Sequence, residues 1–359
     1  VAPIKILWNA WADAGNVNSQ SLTARELAAR LDPERFASRL FVRAGGDPDP
    51  RLRGRDGVRL IPVPRRLGMA VVARELLWGD RHLLFYPALN LRASRLFYRL
   101  RRLGRRVRTV HSFEVSWRQL AAVPEPVRRH TLRAARDADL LTAITPAIVR
   151  DLGERGLDAE LMPLGVDLSR FAPVDRRGRP GPAKVLFVAS ILERKQPHLV
   201  LELARRLRSR PVEFHLLGPV LEEGYYRRLL AEKERDGLDR VFFHGKVSPD
   251  ELARHLRGGD LYLLPSRLEG FGKTTLEAAA RGLPAVVFDD YETPAVVDGE
   301  TGFAVATFEE MAERVERLLD DPALRHRLGD AAAEHAAAFS WDRIARRWEE
   351  RFERLLRTG

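Results

Sequence analysis

Short apolar runs alternate with amphipathic stretches along almost the whole chain. The runs fall at Ile4–Asn9, Ser38–Val42, Val58–Ile61, Leu83–Tyr86, Val107–His111, Leu140–Ile144 and Glu160–Met162. In the second half they fall at Lys184–Ala189, Glu213–Leu217, Val241–Phe243, Asp260–Leu264, Ala285–Phe288 and Phe303–Val305. Helical spacing fills the gaps at Ser19–Leu31, Ala93–Leu103, Pro126–Asp137, Pro146–Arg155, Pro197–Arg208, Gly224–Asp236, Pro249–Arg257, Thr274–Arg281 and Phe308–Asp320. Strands separated by helices pair in parallel through crossovers. The expected fold is therefore α/β, with two doubly wound sheets. Arg170–Pro182 has neither pattern and is rich in proline, glycine and arginine, so it reads as a linker. The expected division is residues 1–169, a linker at 170–182, and residues 183–340. The last stretch carries Ile344, Trp348, Phe352 and Leu355 at helical spacing and is expected to pack back on the first domain. Doubly wound sheets bind ligands at the carboxyl ends of their strands, and two facing sheets would form a cleft.

Composition narrows the chemistry. The 359 residues contain no cysteine, which excludes disulfides, cysteine nucleophiles and thiolate metal sites. No apolar run reaches the ~18–20 residues of a membrane span. Val1–Leu7 is too short for a signal peptide, so a cytoplasmic location is expected. The net charge of +11 favours anionic partners, although 55 arginines against six lysines suggests genome composition as one source. Neither sheet shows G-x-G-x-x-G after its first strand, which argues against a nicotinamide or flavin dinucleotide.

The most informative segment is Leu264–Pro284. A buried strand leads into a loop with Gly270, Phe271 and Gly272, and a helix starts near Thr274. Glycines admit close approach of a ligand to backbone, and amides at a helix start suit anionic or hydroxyl oxygens. Glu269 and Glu277 would stand about 80° apart on one continuous helix. The glycine loop breaks that helix and lets both point into one crevice. Structural explanations exist for each: Thr274-x-x-Glu277 has capping-box spacing, and Glu269 alone could be a surface charge.

Taken whole, the segment resembles the E-x7-E signature of retaining glycosyltransferases of the GT-B fold, family 4. Further resemblances lie in Asp139–Pro146, in Met162–Pro173, in Phe243–Val247 and in Asp298–Phe303. The resemblance implies two Rossmann-like domains, an acceptor-binding one followed by a nucleotide-sugar-binding one. It implies that Glu269 and the amides of Gly270–Gly272 contact the donor hexose, Glu277 the ribose, and Gly245, Lys246 and Val247 the nucleobase. The family usually has Gly-Arg after the first strand of the second domain and a lysine five residues on, which together neutralise the leaving diphosphate. Here Ala189-Ser190 replaces the pair, Lys195 holds the lysine place, and Arg194 is adjacent. Lys273 is a further candidate for the diphosphate or an acidic sugar. The usual G-G-x-P-E turn reads Tyr291–Ala295, and Leu164 replaces the usual asparagine of P-N-G.

In the first half, His111 is read as a strand-end residue that faces the donor sugar in this family, against the alternative of a satisfied structural histidine. Gly15 is a donor-binding candidate in a loop that opens the first helix and is expected to face the same cleft, against the alternative of a plain helix cap by Asn18 or Ser19. Arg92–Arg108 holds eight arginines, no acid and interleaved leucines. It reads either as a basic face for anionic lipid at the inner membrane surface or as a solvated face.

The expected activity is transfer of a hexose from a UDP- or GDP-sugar, with retention, to a glycan, lipid-linked or small-molecule acceptor, as in cell-envelope or polysaccharide synthesis. No cofactor is expected. No metal site is expected either, because neither an Asp-x-Asp nor a histidine cluster is evident. The alternative is a sugar-nucleotide-binding protein of the same fold without transferase activity, suggested by Ser190. Phe271–Thr275 looks like the end of a P-loop, but Arg267 stands where its first glycine belongs. Charge alone suggests nucleic acid, and no recognition motif supports it. A phosphorylase is disfavoured because no lysine is placed for a cofactor aldimine.

Overall fold

The computed structural model describes residues 2–14, 18–86 and 107–357. The chain forms two compact units, residues 1–164 with 341–359, and residues 165–340.

The first unit is built on a seven-stranded sheet. Its strands are β1 (Ile4–Trp11), β2 (Phe36–Arg43), β3 (Val58–Val63), β4 (Leu83–Phe85), β5 (Arg108–Phe113), β6 (Leu140–Ala143) and β7 (Glu160–Leu161). Their order is β3-β2-β1-β4-β5-β6-β7, and every pairing is parallel. The central strands are continuous apolar runs because helices cover both faces. Asp139 fixes the start of β6 against β5 by accepting from the Thr109 amide at 2.7 Å and its hydroxyl at 2.9 Å. The C-terminal helix Trp341–Arg357 belongs to this unit. Its expected stripe is buried, with Phe352 6.2 Å from Trp8 and Trp348 5.0 Å from Phe85 between ring centroids.

The second unit is built on a six-stranded parallel sheet. Its strands are β8 (Ala183–Val188), β9 (Val212–Leu217), β10 (Val241–Gly245), β11 (Leu261–Leu264), β12 (Ala285–Phe288) and β13 (Gly302–Val305). The order is β10-β9-β8-β11-β12-β13. Strand order reverses between β8 and β11, so the loops leaving these two strands diverge and leave a crevice. Asp260 repeats the device of Asp139, accepting from the Lys184 amide at 2.8 Å and from Arg179 at 2.8 Å.

Three described helices escape the sequence pattern. Gly68–Trp78 begins without a side-chain cap, although its Val72 and Leu76 join the core. Trp117–Ala121 is only five residues long. Pro322–Ala337 packs with alanines and with Gly329, where a Cβ would lie 2.3 Å from the Gly282 carbonyl oxygen. Small residues make a close contact but no apolar stripe.

The expected linker at 170–182 is packed into the second unit. Buried Arg176 donates to the carbonyls of Gly259 (2.7 Å), Leu256 (3.0 Å), Arg281 (2.6 Å) and Val174 (2.9 Å). It thereby caps the carboxyl ends of helices Pro249–Gly258 and Lys273–Ala280, where a cation also suits the helix dipole. Burial pulls its pKa down to about 10, so it stays charged at neutral pH. Arg176→Ala strands these carbonyls and is expected to destabilise the second unit by roughly 3 kcal/mol in urea unfolding. A loss under 1 kcal/mol would mean that water replaces the guanidinium.

Candidate active site

The crevice at the switch point is lined by the loops after β8 and β11. After β8, the Ala189 amide donates to Leu217 and the Ile191 amide to Pro219, holding Ser190 beside the end of β9. That packing requires Gly218, since a Cβ there would lie 2.0 Å from the Ala189 carbonyl oxygen at a φ of +149°. The chain then makes a single 3-10 turn, Glu193–Lys195, which presents Arg194 and Lys195 toward the β11 loop. Lys195 forms an ion pair with Glu269, and Arg194 donates to the Leu268 carbonyl. Burial lowers the Lys195 pKa, and the Glu269 carboxylate opposes that shift. The fold thus joins two expected site residues that lie 74 positions apart in sequence.

The glycine loop ends at Gly272, a left-handed N-cap with φ +76°. A Cβ there would meet Thr293 Oγ1 at 2.9 Å, so the turn needs glycine. The helix then runs Lys273–Ala280 with no side-chain cap. Its first amides have no intrahelical acceptors. The capping-box reading of Thr274-x-x-Glu277 does not hold, because Thr274 lies inside the helix. Its hydroxyl instead donates to the Val188 carbonyl at 3.1 Å and meets the Tyr262 hydroxyl at 2.6 Å. Glu277 is buried, one oxygen 2.5 Å from Lys273 Nζ and the other without a hydrogen-bond partner. A buried carboxylate oxygen left unsatisfied marks a place for a ligand donor.

Tyr291 was not singled out by the sequence reading. Its hydroxyl is buried without a partner, and burial followed by the field of Glu269 pushes its pKa well up. Tyr291 occupies the first position of the departed G-G-x-P-E turn, and only packing reveals that its hydroxyl is unsatisfied. At the end of β10, Gly245 takes φ +66°, Lys246 is exposed and Val247 half-buried. Phe271 is buried and Gly270 half-buried.

In the first unit, β5 runs to Phe113, so His111 sits inside the strand and not at its end. Burial, followed by the charge of His130, pulls its pKa down to about 4, and its Nδ1 has no partner. At neutral pH it is an uncharged imidazole. The residue at the strand's end is Glu114, which the sequence reading passed over. It is buried and accepts a hydrogen bond from the Tyr86 hydroxyl; Tyr86 itself holds φ +58°. Asn18 caps the first helix by accepting from the Ser21 amide at 2.7 Å. Gly15 lies outside the described residues, as does the expected membrane-binding stretch up to residue 106. Its last arginine, Arg108, is in β5 and pairs with Asp139 at 3.1 Å, so it is no part of a lipid-facing surface. Among the described residues, no helix is long and apolar enough to cross a membrane.

The expected absence of a histidine cluster is corrected. His215, His244 and His255 converge in the second unit, their ring nitrogens within 4.8 Å of one another. They come from two neighbouring strands and a crossover helix, so linear spacing conceals them. Burial and the neighbouring histidines hold His244 down to about 4.

Burial raises the Glu114 pKa from 4.5 to about 7. A raised folded-state pKa contributes stability that is complete below the unfolded value and lost as pH rises through the folded one. Glu114→Gln removes this dependence. Relative to wild type it should gain stability from pH 4.5 to about 7 and level off above, by roughly 3 kcal/mol in all. Urea unfolding across that window checks it, and a pH-independent difference would show that Glu114 does not hold a proton in the folded state.

Residues 174–335 match the family described as Glycosyl transferases group 1. The chain is 35% identical over 244 residues to a D-inositol 3-phosphate glycosyltransferase of an Arthrobacter species, covering 62% of this chain and 58% of that protein. It is 36% identical over 250 residues to the protein of that name from Streptomyces avermitilis, covering 62% and 53%. The chain thus spans just over half the length of these relatives. Among solved structures it is similar to a sucrose-phosphate synthase from Thermosynechococcus elongatus, with TM-score 0.78, 22% identity and coverage of 99% and 100%. It is also similar to Anabaena HepE in complex with UDP-glucose, with TM-score 0.76, 18% identity and coverage of 98% and 99%. The chain therefore has the GT-B fold, and most of its second unit, residues 174–335, matches the Glycosyl transferases group 1 family.

Proposed function

We propose that this chain is a retaining glycosyltransferase that moves a hexose from a nucleoside diphosphate sugar to an acceptor hydroxyl. The observation that carries the reading is the crevice itself. The Lys195–Glu269 pair, the glycine loop and the half-satisfied Glu277 stand together at the switch point of a group 1 domain. UDP-hexoses are the first donors to test, because Anabaena HepE, of the same fold, was solved with UDP-glucose. GDP-sugars are the second choice. The acceptor class follows the earlier expectation of a glycan, a lipid-linked sugar or a small molecule. A phosphorylated cyclitol heads the small molecules, since the curated relatives are named for one.

The residues divide the work by chemistry. Glu269, an acceptor-only carboxylate, takes hexose hydroxyls, and the loop amides supply donors to others. The free oxygen of Glu277 accepts from a ribose hydroxyl. As the bond between the anomeric carbon and the diphosphate breaks, negative charge grows on the departing oxygen. The acceptor oxygen bonds to the same carbon on the same face and passes its proton to the departing diphosphate oxygen. A cation fixed beside the departing oxygen stabilises the transition state more than the ground state. Lys195 fills that role, with Arg194 adjacent to it, Lys273 at the start of the helix after the glycine loop, and Ser190 in place of the customary arginine. In this reading the donor's phosphates draw Lys195 away from Glu269, and the hexose hydroxyls take up the carboxylate it leaves.

Lys195→Ala is expected to lower kcat by roughly 100-fold, the scale of one well-placed transition-state donor, while leaving KM for the donor changed far less. Steady-state kinetics with a competent donor and acceptor check this. A kcat within about threefold of wild type, well under 1 kcal/mol of barrier, would remove Lys195 from the diphosphate. Nucleotide binding with no turnover across an acceptor panel would instead favour the binding-protein alternative.

A further inference from the structure

We propose that His215, His244 and His255 form a binding site for one divalent transition-metal ion, zinc being the natural probe. The site is built on the far edge of the second sheet. His215 on β9 and His244 on β10 project from neighbouring strands, and His255 stands on helix Pro249–Gly258 above them. β10 shifts register against β9 between Phe243 and Gly245, which brings His244 beside His215. Their rings stack with centroids 5.2 Å apart, and His244 and His255 lie 4.4 Å apart.

The geometry suits a metal better than it suits three independent side chains. His215 Nδ1 and His244 Nε2 are 2.9 Å apart, and all three candidate ligand atoms lie within 4.8 Å. Tetrahedral coordination at ~2.0–2.1 Å per nitrogen places ligand nitrogens ~3.4 Å apart, between these limits. Three bonds then require ring rotations that bring these separations to that value. Three imidazoles from the protein leave a fourth position for water, and imidazole is a ligand type suited to zinc, copper and nickel.

The surroundings supply what such a site needs beyond its ligands. His215 Nε2 stands 3.1 Å from Glu213 Oε2, so the carboxylate holds that nitrogen protonated and turns Nδ1 toward the site. Each neighbouring cation has a carboxylate partner, Lys184 with Glu213 at 3.4 Å and Arg254 with Glu251 at 3.7 Å. A cavity of about 200 Å³ lined by Lys184, His215, Arg254 and His255 opens beside the cluster and gives an ion a way in. The ion would clamp the edge strand β10 to β9 and to the crossover helix. This site shares no residue with the candidate donor crevice and stands or falls independently of the proposed reaction.

The test uses the full chain stripped with chelator, desalted, and titrated with zinc sulfate against a chromophoric chelator. The expected result is one zinc per chain for the wild type, lost in His244→Gln and in His255→Gln, and weakened ~10-fold in Glu213→Gln. Zinc should also raise the melting temperature of the wild type and of neither histidine variant. Cobalt(II) provides a readout that needs no variant, because three nitrogens and water give the intense visible bands of a tetrahedral ion. No retained zinc in the wild type, equal retention by both histidine variants, or only the weak bands of hydrated cobalt would each overturn the proposal.

Discussion

All six strands of the second sheet run in one direction, and that constraint places everything else. Loops that leave the carboxyl ends of parallel strands must emerge at one edge, and the reversal between β8 and β11 keeps two of them from covering the gap. Ser190–Lys195 and Pro265–Gly272 are those two loops. Residues far apart in sequence thereby meet, as Lys195 and Glu269 do. Gly218 and Gly272 serve the same end, each allowing backbone to pass where a side chain would collide.

The charged groups of the crevice are arranged for exchange more than for stability. A buried ion pair regains little beyond its desolvation cost, so Lys195–Glu269 and Lys273–Glu277 contribute modestly to folding. A diphosphate sugar carries both partners these pairs need, anionic oxygens for the lysines and hydroxyls for the carboxylates. Arg176 shows the contrasting use of buried charge. It is spent on the backbone carbonyls of Val174, Leu256, Gly259 and Arg281.

Much of the fold was legible because parallel strands buried on both faces must be apolar runs. Each of the thirteen runs contains or overlaps a strand. The Ile344–Leu355 stripe was legible for the equivalent reason in a helix. Pro322–Ala337 was not, since close packing of alanines and Gly329 leaves no periodic stripe. Proline and glycine marked 170–182 as irregular backbone, and the buried contacts of Arg176, which pack that backbone into the second unit, leave no pattern in the sequence. At the candidate site, Glu269 and Glu277 could be picked out by their spacing in the strand–loop–helix unit after β11, and Lys195 by its place after Ser190 in the unit after β8. Tyr291, Glu114 and the three histidines could not, since burial and convergence across strands decide their chemistry. His111 was picked out by an expected strand-end place and the family resemblance, and its burial inside β5 makes it a neutral ring.

The central claim is that the crevice after β8 and β11 holds a nucleoside diphosphate sugar, with the unsatisfied oxygen of Glu277 taking the ribose. Titration calorimetry with UDP and UDP-glucose, on the wild type and on Glu277→Ala, tests it most directly. The account predicts one site per chain, at least ~10-fold weaker in the variant, the scale of losing one hydrogen bond to a charged group. Equal affinity in a folded Glu277→Ala variant would contradict it.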